Sequence, residues 1–494
     1  MQSGSLVTLT LYFVLMLAIG IYAWARTANT SEGFLLAGRD LSPSVTALSA
    51  GASDMSGWLL LGLPGALYVS GLSAAWIAIG LTIGAYANWL IVAPRLRAQS
   101  EARGNALTIP EFLANRFPEK ALVLRVASAL VIVVFFAIYT ASGLVGGGKL
   151  FESAFASLLP AGTGLTPYLL GICITALVVL FYVALGGFLA ISLTDVVQGL
   201  IMFMALIAMP LVILAGGARF DFVDVPGFLS LTQGVTALGV ISAVTWGLGY
   251  FGQPHIIVRF MALRRVEEMP AARRIGMSWM VVCLAGAVGV GLAGRAYAEA
   301  KGIAVEDPET IFIVLADLLF HPLITGFLFA ALLAAIMSTV SSQLLVTSSS
   351  LTEDFYRLFL RKQASERESV NASRGFVALV SLAAVVIASD PDSEVLGLVA
   401  HAWAGFGAAF GPLILLALTW ERMSGAGAVA GLLTGAGVVA GWIGLGWDQR
   451  LPGLDEGLYE IVPGFIAAWV AIVVVSRLVP SVPASAPAPA APPS

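Results

Sequence analysis

Charge is scarce in this chain. Asp, Glu, Lys and Arg together make up 11% of its 494 residues, against about a quarter in a soluble domain, too few to clothe a water-facing surface. Cysteine and histidine are scarcer still, at two and three residues. Cys173 and Cys283 both fall inside apolar runs and read as reduced core thiols rather than a disulfide or a metal pair. With only His255, His321 and His401 beside them, paired ligands for haem, copper or an iron–sulfur cluster are lacking, which argues against a respiratory redox subunit. A complete phosphate-binding loop is lacking too. "GLVGGGKL", 143–150, carries Leu150 where a Ser or Thr would hold magnesium. "GLGYFG", 247–252, spells G-x-G-x-x-G inside an apolar run rather than at a strand-to-helix turn. Without ATP-hydrolysing machinery, uphill work has to draw on an ion gradient.

What the chain has in abundance is apolar sequence: 59% hydrophobic residues and a mean hydropathy of +0.94. A helix of about 20 residues crosses ~30 Å of hydrocarbon. Thirteen such spans are predicted, near 5–25, 43–70, 74–94, 123–149, 166–186, 191–215, 236–258, 275–298, 322–347, 372–389, 396–419, 424–446 and 461–479. The expected fold is therefore an all-α polytopic membrane protein with a single transmembrane domain over 1–479. Only a Gly186-Gly187 turn separates spans five and six. Arg26 follows the first span and no basic residue precedes it, the reverse of a signal peptide's charge order, so that span is read as retained. The tail 480–494, "PSVPASAPAPAAPPS", has nothing with which to build a core and is expected to be disordered.

Loops left in the cytoplasm keep the positive charge. With the N-terminus outside and the C-terminus inside, all but Lys149, Arg219, Arg295, Lys301 and Arg450 of the 25 basic residues fall on the cytoplasmic side. The clusters Arg95–Arg125, Arg259–Arg274 and Arg357–Arg374 dominate that side.

Helices break in hydrocarbon only where the break is buried in protein or lines a watery cavity. Two segments carry the residues of a break: "SDMSGW" in span two and "WGLGYFGQP" in span seven, five spans apart. Interrupted helices at matching positions of two halves mark an inverted-repeat transporter with its substrate near the midplane. Asp54 stands in the first of them, where an aspartate costs ~2.5–3.5 kcal/mol to insert and signals function. It could also cap the second half of its own broken helix. Span nine adds hydroxyls in "LAAIMSTVSSQLLVTSSS", 333–350. Ser338 and Thr339 lie at the depth of the first break and suit a hard, oxygen-seeking cation. Ser341, Ser342 and Ser348 to Ser350 are expected to bond carbonyls of their own helix. A passive channel would need a polar pore lined by several helices, and a membrane sensor would need a signalling domain; neither fits this pattern.

"TALSAGASDMSGWLLLGLPGALYVSGLSAAWIAIGLTIGAYANW", "WGLGYFGQPHIIVRFMA", "LAAIMSTVSSQLLV", "TEDFYRLFLRK" and "HAWAGFGAAFGP" resemble the sodium/solute symporter family over about residues 5–479. The resemblance implies a five-plus-five, LeuT-like core, with repeat one about 43–215, repeat two about 236–419, and peripheral helices 5–25, 424–446 and 461–479. It implies sodium-coupled uptake of L-proline across the cytoplasmic membrane, with sodium as co-transported cargo and no cofactor. Partners are then sodium, L-proline and the lipid bilayer, with no nucleic acid and no obligate protein. Matched motif by motif, sodium would be held by main-chain oxygens of Ala52, Met55 and Ala335 and by the hydroxyls of Ser338 and Thr339. Substrate would meet Ser56, Gly57, Trp58, Tyr139, Trp246, Tyr250 and Pro254. Asp54, Arg39 and Asp195 would serve ion coupling. His401 and the segment from Thr163 to Pro167 depart from the family pattern.

Overall fold

The computed structural model describes residues 2–27, 30–156, 166–447 and 457–480. Part of the Thr163–Pro167 segment, Arg450 and nearly all of the Pro/Ala-rich tail lie outside them. The described residues are helical almost throughout, with one isolated bridge between Leu41 and Leu263. In chain order the helices are α1 (Gln2–Arg26), α2 (Ser31–Leu36), α3 (Pro43–Asp54), α4 (Gly62–Ser70), α5 (Ala75–Ala102), α6 (Ile109–Arg116), α7 (Ala121–Phe155) and α8 (Pro167–Ala215). They continue with α9 (Ala237–Val244), α10 (Pro254–Ala262), α11 (Met269–Lys301), α12 (Ile311–Leu319), α13 (Pro322–Ser350), α14 (Glu366–Ile387), α15 (Val395–Thr419), α16 (Gly425–Leu445) and α17 (Ile461–Leu478).

Ten helical stretches among the described residues are long and apolar enough to cross a membrane. Two of them, 46 and 49 residues long, exceed one crossing at 1.5 Å per residue. The first contains the 3₁₀ turn Gly71–Ala74 between α4 and α5. The second is α8, which bends where Gly187 adopts φ +55, ψ −147, a backbone region essentially reserved for glycine. A Cβ there would also lie 2.6 Å from the Phe34 carbonyl oxygen. The expected turn between spans five and six is this kink.

α13 and α15 are buried almost all round, and α3, α7, α8 and α14 pack on α13. α1 packs against α8 and α13, while α16 and α17 pack on each other and on α15. Outward-facing Leu11, Leu177, Leu211, Leu382, Val386, Leu433 and Ile466 are exposed; such an apolar exterior suits lipid rather than water. Three short helices, α2, α6 and α12, occupy stretches that the hydropathy reading leaves as loops. Thr108 caps α6 by accepting from the Glu111 N–H at 3.1 Å, and Glu111 reaches back to the Leu107 N–H at 2.7 Å, close to a capping box. Helices of 6 to 9 residues fall below the length a membrane-span window detects. Lys149, expected at the outward end of span four, is buried within α7 and paired with Asp307 and Glu309, both at 2.8 Å.

Gly187→Ala combines a disfavoured backbone with a close contact. A loss of about 2 kcal/mol or more is expected, read as a lower apparent melting temperature of detergent-purified protein; an unchanged melting temperature would count against the kink as described.

Candidate functional site

Both predicted breaks exist. α3 ends at Asp54, where Met55 leaves helical geometry at φ −82, ψ 70. A 3₁₀ turn, Gly57–Leu59, and then α4 follow. The freed backbone groups find local partners: the Ser56 N–H bonds the Asp54 carbonyl at 3.0 Å, and the Leu61 N–H bonds the Gly57 carbonyl at 2.9 Å. Ser56 rather than Asp54 caps the turn, its hydroxyl accepting from the Trp58 N–H at 3.5 Å. The second break runs as a 3₁₀ turn, Thr245–Gly252, with Gln253 extended before Pro254 opens α10.

α13 crosses beside the first break. The Ser338 hydroxyl lies 2.7 Å from the Ala52 carbonyl and 3.1 Å from that of Ala335, and the Thr339 hydroxyl is 3.3 Å from the same Ala335 oxygen. Four of the five expected sodium ligands thus form one buried oxygen cluster. Met55, the fifth, is buried at the break itself. Ser341, Ser342, Ser348 and Ser349 bond carbonyls three or four residues back, the bland use expected of them. Ser350 makes no such bond among the described residues.

Asp54 is buried, and one of its oxygens accepts the Tyr250 hydroxyl while the other has no partner among the described residues. The expected coupling acid is therefore tied directly to the expected substrate wall. Asp54 and Tyr250 share a cavity with Asn88, Trp89, Phe260 and Gly276. Trp58 is fully buried in the 3₁₀ turn. Tyr139 lies near Ser56 without meeting hydrogen-bond geometry, and its ring stands edge-on to His255, centroids 5.7 Å apart. Trp246 stacks on Tyr459 at 5.1 Å. Pro254 lines another cavity with Ile109, Phe188 and Leu345, and is followed in the chain by the His255 that meets Tyr139.

Arg39 and Asp195 lie elsewhere. Arg39 donates to Asn105, Ser100 and the carbonyls of Met261 and Ala106, at 2.6–3.2 Å, which closes the end of the bundle near α6. Asp195 accepts from Ser49 at 2.6 Å and pairs with Arg259 at 3.4 Å.

Residues 34–435 match the profile of the sodium:solute symporter family. The chain belongs to the sodium:solute symporter family. Among similar proteins, the osmoregulated proline transporter OpuE of Bacillus subtilis (strain 168) is 50% identical over 479 residues, 96% of this chain and 94% of that one. The sodium/proline symporter of Staphylococcus aureus (strain NCTC 8325 / PS 47) is 50% identical over 482 residues, 96% of this chain and 92% of that one. Among solved structures, a Na+-coupled sialic acid symporter in a substrate-bound outward-open state superposes with a TM-score of 0.76 at 18% identity, over 96% of this chain and 98% of that one. Mhp1, a nucleobase-cation-symport-1 family transporter closed around bromovinylhydantoin, gives 0.55 at 14% identity, over 90% and 93%. The family and these relatives are transporters, and sodium is the family's co-substrate rather than a cofactor.

One charged residue of this symporter was misplaced by its sequence. Arg259 counted as part of a cytoplasmic cluster; it is buried in α10 instead, held by Asp195, by Ser49 at 3.2 Å and by Ser342. A guanidinium survives there because a carboxylate and two hydroxyls surround it. The signal available was its spacing, five residues past Pro254, which keeps it within the helix that Pro254 opens. His401, one of the departures from the family pattern, pairs with Glu460 at 2.7 Å.

Arg259→Met strands the Asp195 carboxylate, and a loss of about 3–5 kcal/mol follows when one partner of a buried pair is removed. Removing both charges in Arg259→Met/Asp195→Leu is expected to recover much of it. Thermal unfolding of the purified variants decides; a double variant no more stable than the single one would show that the pair does not carry this penalty.

Proposed function

We propose that this chain couples inward sodium flow to L-proline uptake across the cytoplasmic membrane by alternating access. The observation that carries the sodium half is the oxygen cluster of Ala52, Ala335, Ser338 and Thr339 at the first helix break. The proline half rests on relatives that are 50% identical over nearly the whole chain and named for that substrate. In this reading the chain is one transmembrane domain of thirteen spans. Repeat one covers about 43–215 and repeat two about 236–419 in five-plus-five arrangement, with peripheral helices at 5–25, 424–446 and 461–479. The N-terminus faces out and the C-terminal end, with its Pro/Ala-rich tail, faces the cytoplasm. No protein partner is needed.

Sodium sits among main-chain oxygens of Ala52, Met55 and Ala335 and the hydroxyls of Ser338 and Thr339. The hydroxyls turn their lone pairs to the ion in place of the carbonyl bonds they now make. Proline is a zwitterion with an apolar ring: Trp58, Tyr139, Trp246, Tyr250 and Pro254 supply an apolar wall, and N–H groups near Ser56 and Gly57 meet its carboxylate. Asp54 joins the two halves, because its carboxylate accepts from Tyr250 and its charge lowers the electrostatic cost of bringing in a cation. Arg39 and Asp195 line the inner ion path. One charge crossing ~100 mV supplies about 2.3 kcal/mol and a tenfold sodium gradient a further ~1.4 kcal/mol. Together they sustain accumulation of roughly a few hundredfold.

Proteoliposomes test the reading directly. Labelled proline should enter only with a sodium gradient. Asp54→Asn should abolish sodium-driven uptake, while Ser338→Ala and Thr339→Ala should each raise the sodium concentration for half-maximal uptake about tenfold, the effect of losing a neutral ligand worth ~1–2 kcal/mol. Proline affinity should recover at high sodium through linkage. A wild-type sodium curve for correctly inserted Asp54→Asn would sink the role given to Asp54.

Orientation has its own test. A cysteine at exposed Lys362 should resist an impermeant thiol reagent applied to intact cells and react in inside-out vesicles; the opposite pattern would invert the topology.

A further inference from the structure

The motif "HAWAGFGAAFGP", 401–412, supplies none of the ligands assigned above, yet it lies along the whole second break. It belongs to α15, and its Trp403 is among the largest fully buried side chains. The indole N–H of Trp403 donates to the Trp246 carbonyl at 2.7 Å. The main-chain carbonyl of the same residue accepts the Gln253 side-chain amide at 3.1 Å. Trp246 and Gln253 stand near the two ends of the interruption, so a single residue of α15 grips both. Between them, the Tyr250 ring meets the Trp403 ring edge-on, centroids 5.1 Å apart.

The fit leaves no slack. A Cβ on Gly249 would fall 1.9 Å from the Trp403 indole nitrogen, and one on Gly252 would fall 2.3 Å from the Phe406 carbonyl oxygen. Glycine at both positions lets α15 approach the irregular backbone closely enough for the indole to reach a carbonyl that the regular helix ladder would otherwise have served.

We propose that Trp403 is a positioning residue for substrate: by clamping both ends of the break in span seven it sets where Trp246 and Tyr250 stand, and through Tyr250 where the wall meets Asp54. This rests on the reading of Trp246 and Tyr250 as the substrate wall. Trp403 acts through those residues and touches neither proline nor sodium. Its loss therefore weakens proline recognition with little effect on the oxygen cluster at Ser338, which belongs to other elements.

The test is Trp403→Phe, which removes the N–H and keeps a ring against Gly249. With uptake measured in proteoliposomes, the proline concentration for half-maximal rate should rise about tenfold, the scale of a buried carbonyl left without its donor. The maximal rate and the sodium half-saturation at saturating proline should stay within about twofold. Trp76→Phe is the control: it deletes the same kind of bond, indole N–H to the Leu231 carbonyl at 2.8 Å, away from the breaks, and should leave all three quantities unchanged. If Trp403→Phe fails to reach the membrane, Gln253→Met removes the other arm of the clamp and should raise the proline requirement in the same way. Trp246→Ala and Tyr250→Ala are run alongside. Should those two weaken proline while Trp403→Phe or Gln253→Met does not, the clamp is wrong and the wall stands. Should neither wall variant alter proline, the wall reading itself falls.

Discussion

An unpaired carbonyl or N–H inside a membrane costs several kcal/mol, and this molecule is arranged around two places where it breaks its own helices there. At the first, the unwound stretch between α3 and α4 recovers its bonds through a 3₁₀ turn and the Ser56 hydroxyl, leaving the Ala52 carbonyl to meet Ser338. At the second, local bonds do not suffice, and α15 lends an indole and a carbonyl. The deepest helices, α13 and α15, are those that serve the two breaks.

Buried charge obeys the same rule in a harsher form. Asp195, Arg259 and Lys149 are each held by an opposite charge within the bundle or at its edge. Among the described residues Asp54 has no such partner; a neutral hydroxyl from Tyr250 is what it receives. Asp195 shares with Asp54 one oxygen without a partner among the described residues; what sets Asp54 apart is that its carboxylate meets a hydroxyl where that of Asp195 meets a guanidinium.

Much of the architecture was legible because period and length report on lipid. The apolar runs, the Gly186-Gly187 turn and both breaks follow from hydropathy and from glycine, serine and proline placed where a helix cannot hold. The hydroxyls of span nine sorted only in part: Ser338 reaches another helix, and Ser341, Ser342, Ser348 and Ser349 bond back onto their own, though Ser342 also takes a bond from Arg259; Thr339 likewise bonds its own Ala335 carbonyl, and Ser350 makes no such bond among the described residues. Short helices such as α6 were missed because a few amphipathic turns leave no trace in a window sized for a membrane.

What the sequence by itself determined is what one helix decides alone: its length, its solvent and where it must break. Whether Arg259 faces cytoplasm or Asp195, whether Asp54 caps a turn or holds Tyr250, and that Trp403 grips span seven were decided only by the tertiary structure. Each depends on a partner more than sixty residues away in the chain, and the relative rotation of packed helices, which sets those meetings, leaves no local pattern to read.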